Sequence, residues 1–458
     1  MPVRMSGFYP KLITNSCWCP TMLILPRIDR RQAMKVAALS GIPAWQATRL
    51  MADEPKKAGE KPKIALIGCG GMGKGDARNA ARFGTVVAVC DVDSNRVAEA
   101  AKQNNNAKQY TDFRKLLDTE KDVTVVINAT PDHWHTLVNL AAIKAGKDVY
   151  SEKPLTLTID EGKRVVAAVK ANQRVLQTGS QQRSDKLFRQ ACLLVRSGRL
   201  GKIHTVTSAI PAGLRGGPFK SVDVPSGLDW DMWQGQAPAT GYVPERCFTN
   251  FRFWLDYSGG TLTDWGAHHN DIVLWAINQT GPTSIEGKRL AEPIVGGYTA
   301  PSEYEITYGY AGGLKHICKS TTASTIFGGK PDKPVPRHLM DHGIKFEGSD
   351  GWLFVTRGKI EASKPEILGD NPSAMEQNVQ VSDDHMGNFF ACVASRQSPV
   401  CDAETGHRSV SVCHLGGIAL KLGRKLTWDV AREEFPGDRE ANTYLAREQR
   451  KPWTYDIA

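Results

Sequence analysis

Gly68, Gly70 and Gly73 stand at G-x-G-x-x-G spacing, and Asp91 follows the last of them by 18 residues. Residues of these types at this spacing can hold a dinucleotide. A tight turn at Gly68 leaves no room for a Cβ, Gly70 lets the backbone approach a pyrophosphate, and Gly73 lets helix and strand pack closely. The Asp91 carboxylate can accept the hydroxyls of an adenosine ribose and would repel a 2′-phosphate, which points to NAD rather than NADP. A glycine motif alone is weak evidence, but here its flanks agree with it. Residues 64–67 read as a strand running into the turn, 75–82 as the helix leaving it, and 86–90 as a second strand that delivers Asp91 to its tip. Gly71 and Met72 lie inside the turn, where helix N-terminal amides face the phosphates.

The elements that must position these residues follow a pattern. From residue 63 to about 155, short Val/Ile/Ala strands alternate with helix-like stretches, as in a doubly wound parallel sheet. Residues 123–129 form a buried-type strand ending in Thr130-Pro131-Asp132-His133-Trp134-His135, and 148–151 form another ending in Glu152-Lys153-Pro154. Ligands bind outside the carboxyl ends of parallel strands, so both tips lie on the cofactor side. A helix over 159–172 and a strand over 175–178 complete this unit near residue 180. Beyond it, 205–210, 302–310, 315–320, 343–347 and 351–356 read as strands of a largely antiparallel open sheet, and helices over 387–395 and 409–422 return to pack on the first unit. The predicted fold class is α/β. A leader and linker span 1–61, a Rossmann domain 62–180, an α+β substrate and oligomerisation domain 181–435, and a charged tail that wraps the surface 436–458.

At 458 residues the chain is long enough for two domains with extensions, and 41% hydrophobic residues suffice for real cores. Half of the net charge of +10 falls within residues 1–60, and no Lys/Arg block resembles a nucleic-acid-binding arm, so a nucleic-acid partner is excluded. No apolar run reaches the roughly 18 residues needed to span a bilayer. The ten cysteines contain no C-x-x-C and no zinc-like spacing, so they read as buried reduced thiols, with Cys69 a small filler in the glycine turn. His268 and His269 are consecutive on a helix and point about 100° apart, and neither they nor His133 and His135 gain a third ligand, so no metal site is predicted.

GCGGMG at 68–73, ATPDHWH at 129–135, EKP at 152–154 and GGTLTDWGAHHNDIVLWAI at 259–277 together resemble the glucose-fructose oxidoreductase and inositol dehydrogenase (Gfo/Idh/MocA) superfamily over about residues 62–453. The resemblance implies that the Lys of E-K-P and an Asp and His four residues apart meet at the nicotinamide and the reacting sugar carbon. Carried over by motif, these are Lys153, Asp264 and His268. Elementary chemistry agrees, because oxidising a secondary alcohol removes a hydroxyl proton as hydride leaves the same carbon. Lys153 suits the cation at that oxygen and His268 the base. Asp264, one helical turn earlier, either orients His268 or binds a neighbouring hydroxyl. Taken alone, Asp264 and His268 read equally well as a solvated i,i+4 pair. His135 resembles the cofactor-side position of the family or merely caps its helix, and Glu152 positions Lys153 or contacts the nicotinamide ribose. Trp254 and Trp265 either stack near the ligands or pack in the core.

These residues imply an NAD-dependent oxidoreductase acting on a sugar, polyol or glycoside hydroxyl. Two alternatives stand beside it: a glycoside-cleaving cycle in which transient oxidation at C3 permits elimination before the hydride returns, and a non-catalytic sugar or dinucleotide sensor. Pocket specificity is expected in loops 212–242 and 327–342. A homo-oligomer, dimer or tetramer, is expected because the family buries one sheet face against another subunit. Arg30-Arg31 ahead of the weakly apolar residues 36–45 resembles a twin-arginine export signal. Asp29 stands where Ser or Thr is usual, Ala33 replaces the common Phe, and no clean A-x-A cleavage site follows. Residues 1–21 read as an over-extended start, with Met22 the initiator. The leader predicts a periplasmic protein with its cofactor loaded before transit, against a cytoplasmic alternative.

Overall fold

The computed structural model describes residues 61–321 and 342–456. The expected leader, with Arg30-Arg31, and all but His342 of the 327–342 loop lie outside the described residues. In chain order the first elements are β1 (Lys63–Ile67), α1 (Gly71–Ala80), β2 (Thr85–Cys90), α2 (Ser94–Gln103), β3 (Lys108–Tyr110), α3 (Phe113–Thr119), β4 (Val125–Asn128), α4 (His135–Lys144), β5 (Asp148–Ser151), α5 (Ile159–Asn172) and β6 (Leu176–Thr178). The six strands form one parallel sheet in the order β3-β2-β1-β4-β5-β6, so the chain reverses direction across the sheet between β1 and β4. That reversal opens a crevice above the carboxyl ends of β1 and β4, where the glycine turn and Thr130 lie.

Both faces of this sheet are covered, which is why its strands read as unbroken apolar runs. Ile64, Leu66 and Ile127 enter one core, where Ala77 and Ala80 of α1 meet them; Ala65, Ile67 and Val126 enter the other. Each fully buried Ile or Leu contributes about 1.5–3 kcal/mol relative to an exposed one.

The chain continues through α6 (Lys186–Arg196), β7 (Ile203–Ile210), α7 (Trp230–Gln234), α8 (Thr261–Asp264), α9 (Gly266–Ile277), β8 (Ser284–Arg289), β9 (Tyr304–Gly309), β10 (Lys315–Ser320), β11 (Gly343–Gly348), β12 (Gly351–Thr356), β13 (Lys359–Ala362), α10 (His385–Ser395), α11 (Ala403–Leu422), β14 (Leu426–Thr427) and α12 (Arg439–Thr443). Its eight strands form a second sheet, β13-β12-β11-β7-β10-β9-β8-β14, antiparallel except where β10 runs parallel to β7. Register assigns the two faces. The row Val355, Ile344, Ser208, Cys318, Ile306 faces the helices, whereas the adjacent row Phe354, Lys345, Thr207, Ile317, Thr307, Glu286 faces away. The outward row is mixed rather than apolar throughout; its apolar patch is Ala209, Trp352 and Phe354.

Two late helices return as the sequence suggests. Met386, Phe389 and Phe390 of α10 complete the core under α1, and Arg82 clasps Asp384, the N-cap of α10, through two hydrogen bonds of 2.8 and 2.9 Å. Helix α11 crosses α5 closely enough that a Cβ on Gly162 would strike the His407 ring. The tail buries more than a surface wrap would: Trp453 meets Trp134 edge-on at 4.8 Å, and the Tyr455 hydroxyl donates to Glu161 at 3.0 Å. The eight described cysteines are all buried and unpaired, and burial pushes the Cys247 thiol up to about 12. Among the described residues, no helix is long and apolar enough to cross a membrane.

Candidate active site

Gly68 turns the chain with a positive φ of 94°, and a Cβ there would run into the Ala129 carbonyl. A Cβ on Gly73 would strike the Gly68 carbonyl, whereas Gly71 faces open space. Only glycine therefore closes this turn while leaving a floor free for a ligand. Over that floor lies a cavity of about 340 Å³ lined by Gly68, Gly70, Gly71, Met72, Asp91, Thr130, Pro131, His135, Glu152 and Lys153, together with Leu228, Met232 and Trp233. Asp91 is held at its rim, where its two oxygens accept the amides of Cys69 at 2.7 Å and Asp93 at 3.0 Å. The glycine floor, the free N-terminal amides of α1 and this fixed carboxylate fit a dinucleotide.

A second cavity of about 800 Å³ meets the first at Met72, Lys153, Thr249 and Arg252. Lys153 reaches the junction because β5 ends at Ser151, and its Nζ donates to Asp264 Oδ1 at 2.5 Å and to the Asp264 carbonyl at 3.3 Å. Arg252, from the turn Asn250–Phe253, donates through Nε to the same Oδ1 at 3.2 Å. Burial pushes the Asp264 carboxyl up, but the Lys153 and Arg252 charges outweigh it and hold the group well below the usual carboxylate range. Asp264 ends α8, Trp265 bridges, and α9 carries His268 into the larger cavity. Neither ring nitrogen of His268 bonds to any described residue, and burial, with the Lys153 and Arg357 charges, lowers its pKa well below that of a free imidazole. It is a neutral, unengaged base near pH 7.

The three carried-over residues thus converge, and the Asp264 carboxylate bonds Lys153 and Arg252 rather than His268. The cause is that two cations approach its carboxylate, and the ring finds no hydrogen bond there. Glu152 lies beneath Lys153, accepting the Gln181 amide at 3.0 Å and the Lys153 backbone N–H at 3.3 Å, and burial raises its pKa. His135 neither caps a helix nor stands free, since its ring spans the Pro154 carbonyl at 2.7 Å and the Thr130 carbonyl at 2.8 Å and braces the two strand tips. His269 turns away to His342, 3.0 Å distant, and His133 to the Trp233 carbonyl. Among the described residues, no three His, Cys, Asp or Glu side chains gather as metal ligands. Trp254 packs in an aromatic core with Tyr298, whereas Trp265 forms a wall of the larger cavity.

Among the lining residues that escaped sequence reasoning are Arg252, Gln182 and Arg357. Of the residues from 212 to 242, Ala212 lines the larger cavity, and Leu228, Met232 and Trp233 line the smaller one. The Gln182 amide is buried with both its oxygen and nitrogen unpartnered. Its backbone is fixed next door, where Arg183 makes bidentate bonds of 2.8 Å to the fully buried Asp271 of α9, which also accepts Ser409 of α11 at 2.5 Å. That clasp sets α9, and so His268, against the 181–184 turn.

Residues 62–180 match the oxidoreductase family described by its NAD-binding Rossmann fold, and 215–326 with 343–455 match the C-terminal α/β domain of the same family. The chain belongs to the Gfo/Idh/MocA oxidoreductase family. A curated family relative, inositol 2-dehydrogenase 2 of Saccharopolyspora erythraea, is 31% identical over 223 residues, 44% of this chain and 65% of the relative. The chain thus spans under two thirds of that relative's length. Among solved Gfo/Idh/MocA folds, the WlbA dehydrogenase of Bordetella pertussis, in complex with NADH and UDP-GlcNAcA, is 17% identical with a TM-score of 0.61, covering 81% of this chain and 99% of that one. The inositol dehydrogenase homolog of Azotobacter vinelandii, with NADH and myo-inositol, is 19% identical with a TM-score of 0.56, covering 81% and 98%. At these identities they show a shared fold.

Proposed function

We propose that this protein oxidises a hydroxyl-bearing carbon of a sugar or cyclic polyol with NAD. The observation that carries the reading is the Lys153–Asp264 ion pair, 2.5 Å long, at the junction of the two cavities, beside a His268 whose pKa burial lowers and whose ring nitrogens bond to no described residue. NAD, when bound along the glycine turn, supplies the hydride acceptor. The chain's own residues do the rest. Lys153 presents its ammonium to the substrate oxygen, and Asp264 with Arg252 fixes where that ammonium points. A ring nitrogen of His268 takes the hydroxyl proton as hydride leaves the carbon, so the alcohol becomes a carbonyl and both electrons leave with the hydride. Gln182 offers a buried donor and acceptor to a neighbouring hydroxyl, a pairing that suits a polyhydroxylated ligand.

The test is incubation of the purified protein and NAD with a panel of sugars, cyclic polyols and glycosides, following nicotinamide absorbance and product masses together. NADH with a product two hydrogens lighter supports the reading. Cleaved glycoside without net NADH would replace it with the elimination cycle, and ligand binding without any chemistry would leave a sensor. Export by the twin-arginine route and homo-oligomerisation are further parts of this proposal, supported respectively by Arg30-Arg31 ahead of residues 36–45 and by the eight-stranded sheet, whose outward row carries the apolar patch Ala209, Trp352 and Phe354. Cell fractionation of an Arg30→Lys/Arg31→Lys variant and light scattering test them; a cytoplasmic parent protein with its leader intact, or a monomer at micromolar concentration, would refute each in turn.

A further inference from the structure

The larger cavity is lined with charge, and one of its cations contacts no carboxylate among the described residues. Lys153, Arg252 and Arg357 line it opposite Asp76, Asp185 and Asp264. Of these carboxylates, Asp264 is already shared by Lys153 and Arg252. Asp76 is buried, and burial with the nearby Glu152 raises its pKa. Asp185 caps α6, accepting the amides of Leu187 at 2.8 Å and Phe188 at 3.2 Å, and its charge, like that of Asp264, reaches Arg357 only through space. Arg357 is left over. Its guanidinium lies 4.9 Å above the Trp265 ring, and it makes no ion pair or hydrogen bond with any described residue.

Stacking on Trp265 matters because that indole sits in the chain between Asp264 and His268. It fixes the planar fork of Arg357 over the wall of the cavity that holds the reacting groups, with its donors free. Asp264 and Asp185 act on this guanidinium from a distance but neither touches it, and its paired N–H groups match the two oxygens of a carboxylate or phosphate.

We infer that the substrate is a carbohydrate carrying an anionic group, a carboxylate or a phosphate, which Arg357 receives while a hydroxyl of the same molecule lies between Lys153 and His268. The inference rests on the oxidation proposed above and narrows its substrate class.

Matched pairs test it: glucuronate against glucose, galacturonate against galactose, and glucose 6-phosphate against glucose. Each is titrated by calorimetry into the full protein saturated with NADH, and each is assayed for NADH formation with NAD. An anionic member should bind about 10- to 100-fold more tightly than its neutral partner, as expected for a charged hydrogen-bonded pair. Arg357→Met should erase that ratio and Arg357→Lys should restore part of it, with dinucleotide affinity and thermal midpoint reporting that the fold is intact. The uronate and phosphate arms decide between the two anions. Equal affinity within every pair, or a ratio that survives Arg357→Met, overturns the inference and leaves the oxidation standing. Tight anion binding with no NADH from any member keeps the anion site and overturns the oxidation. Absence of binding by every member overturns both.

Discussion

If Asp264 acts through Lys153 and not through His268, a pair of double-mutant cycles will separate the two arrangements. Two unit charges 2.5 Å apart attract by about 7 kcal/mol at an effective dielectric near 20, and desolvation removes much of that gain. Taking one partner from a buried pair costs about 3–5 kcal/mol, and here Arg252, 3.2 Å from the same oxygen, softens the loss on the Asp264 side. Lys153→Ala should therefore lower turnover at least about a hundredfold, roughly 3 kcal/mol of transition-state stabilisation, while NAD affinity stays within about tenfold. Asp264→Asn should cost about 10- to 100-fold, because it releases Lys153 without removing it. The double variant should be little worse than Lys153→Ala alone, a coupling of about 2 kcal/mol, since residues acting as a unit are lost only once. Asp264→Asn combined with His268→Asn should approach additivity, as no hydrogen bond joins those side chains. The assay is kcat/KM from initial NADH formation at saturating NAD, with urea midpoints for each variant. Additive losses for Lys153/Asp264 together with strong coupling for Asp264/His268 would refute the assignment drawn from the ion pair.

His268→Asn should reduce kcat by about 10²- to 10⁴-fold. Because burial lowers the His268 pKa well below its free value of 6.5, the parent profile of kcat/KM should be flat through neutrality and fall only at more acid pH; a limb centred above 7 would contradict a neutral buried base. Asp91→Ala should weaken NAD and narrow its advantage over NADP, checked by titrating both dinucleotides; a parent that prefers NADP would oppose the reading of that rim. Asp271→Ala strands Arg183 without its bidentate partner and should cost about 3–5 kcal/mol of stability by urea unfolding, whereas a loss under about 1 kcal/mol would deny the clasp its role. Stability should also decline with acid. Burial lowers His133 and His316 to about 3 and His385 to about 4, so below about 6.5 the unfolded chain binds more protons than the folded one. That contribution is complete above 6.5 and disappears as pH falls toward the folded values; an unchanged urea midpoint between pH 7 and 4.5 would exclude it.

The features legible in sequence were those whose chemistry is local. Gly68, Gly70 and Gly73 announce themselves because a turn, a floor and a close packing each forbid a side chain within a few residues of one another. Asp91 and Glu152 are marked by their places at strand tips, and the buried parallel strands by runs with no polar alternation. Arg252 and Arg357 carried no such mark. Each is a single cation in a loop or beyond a strand end, where a solvated arginine looks the same, and only the fold brings them together across more than a hundred residues of chain. Gln182 was silent for a related reason: its neighbour Arg183 does the structural work, and the meaning of the Gln182 amide lies in having no protein partner. The bond from Lys153 to Asp264 left no mark either, because helical spacing lists neighbours along one helix and says nothing of a lysine arriving from the end of a strand. Trp453 shows the same limit, since a charged tail gives no sign that one indole will be buried.

The buried cysteines make the folded and unfolded chains chemically different objects toward oxidants. In the native state at least eight thiols are shielded and weakly acidic, so they have almost no thiolate with which to attack a disulfide or a peroxide. An opened chain exposes all of them together. In an oxidising medium each unfolding event would race refolding against random cross-linking, and survival would be governed by how often the molecule opens rather than by its equilibrium stability. With a reductant present the same molecule should unfold reversibly. The rate at which a thiol reagent labels those eight cysteines in the native protein then serves as a clock for that opening.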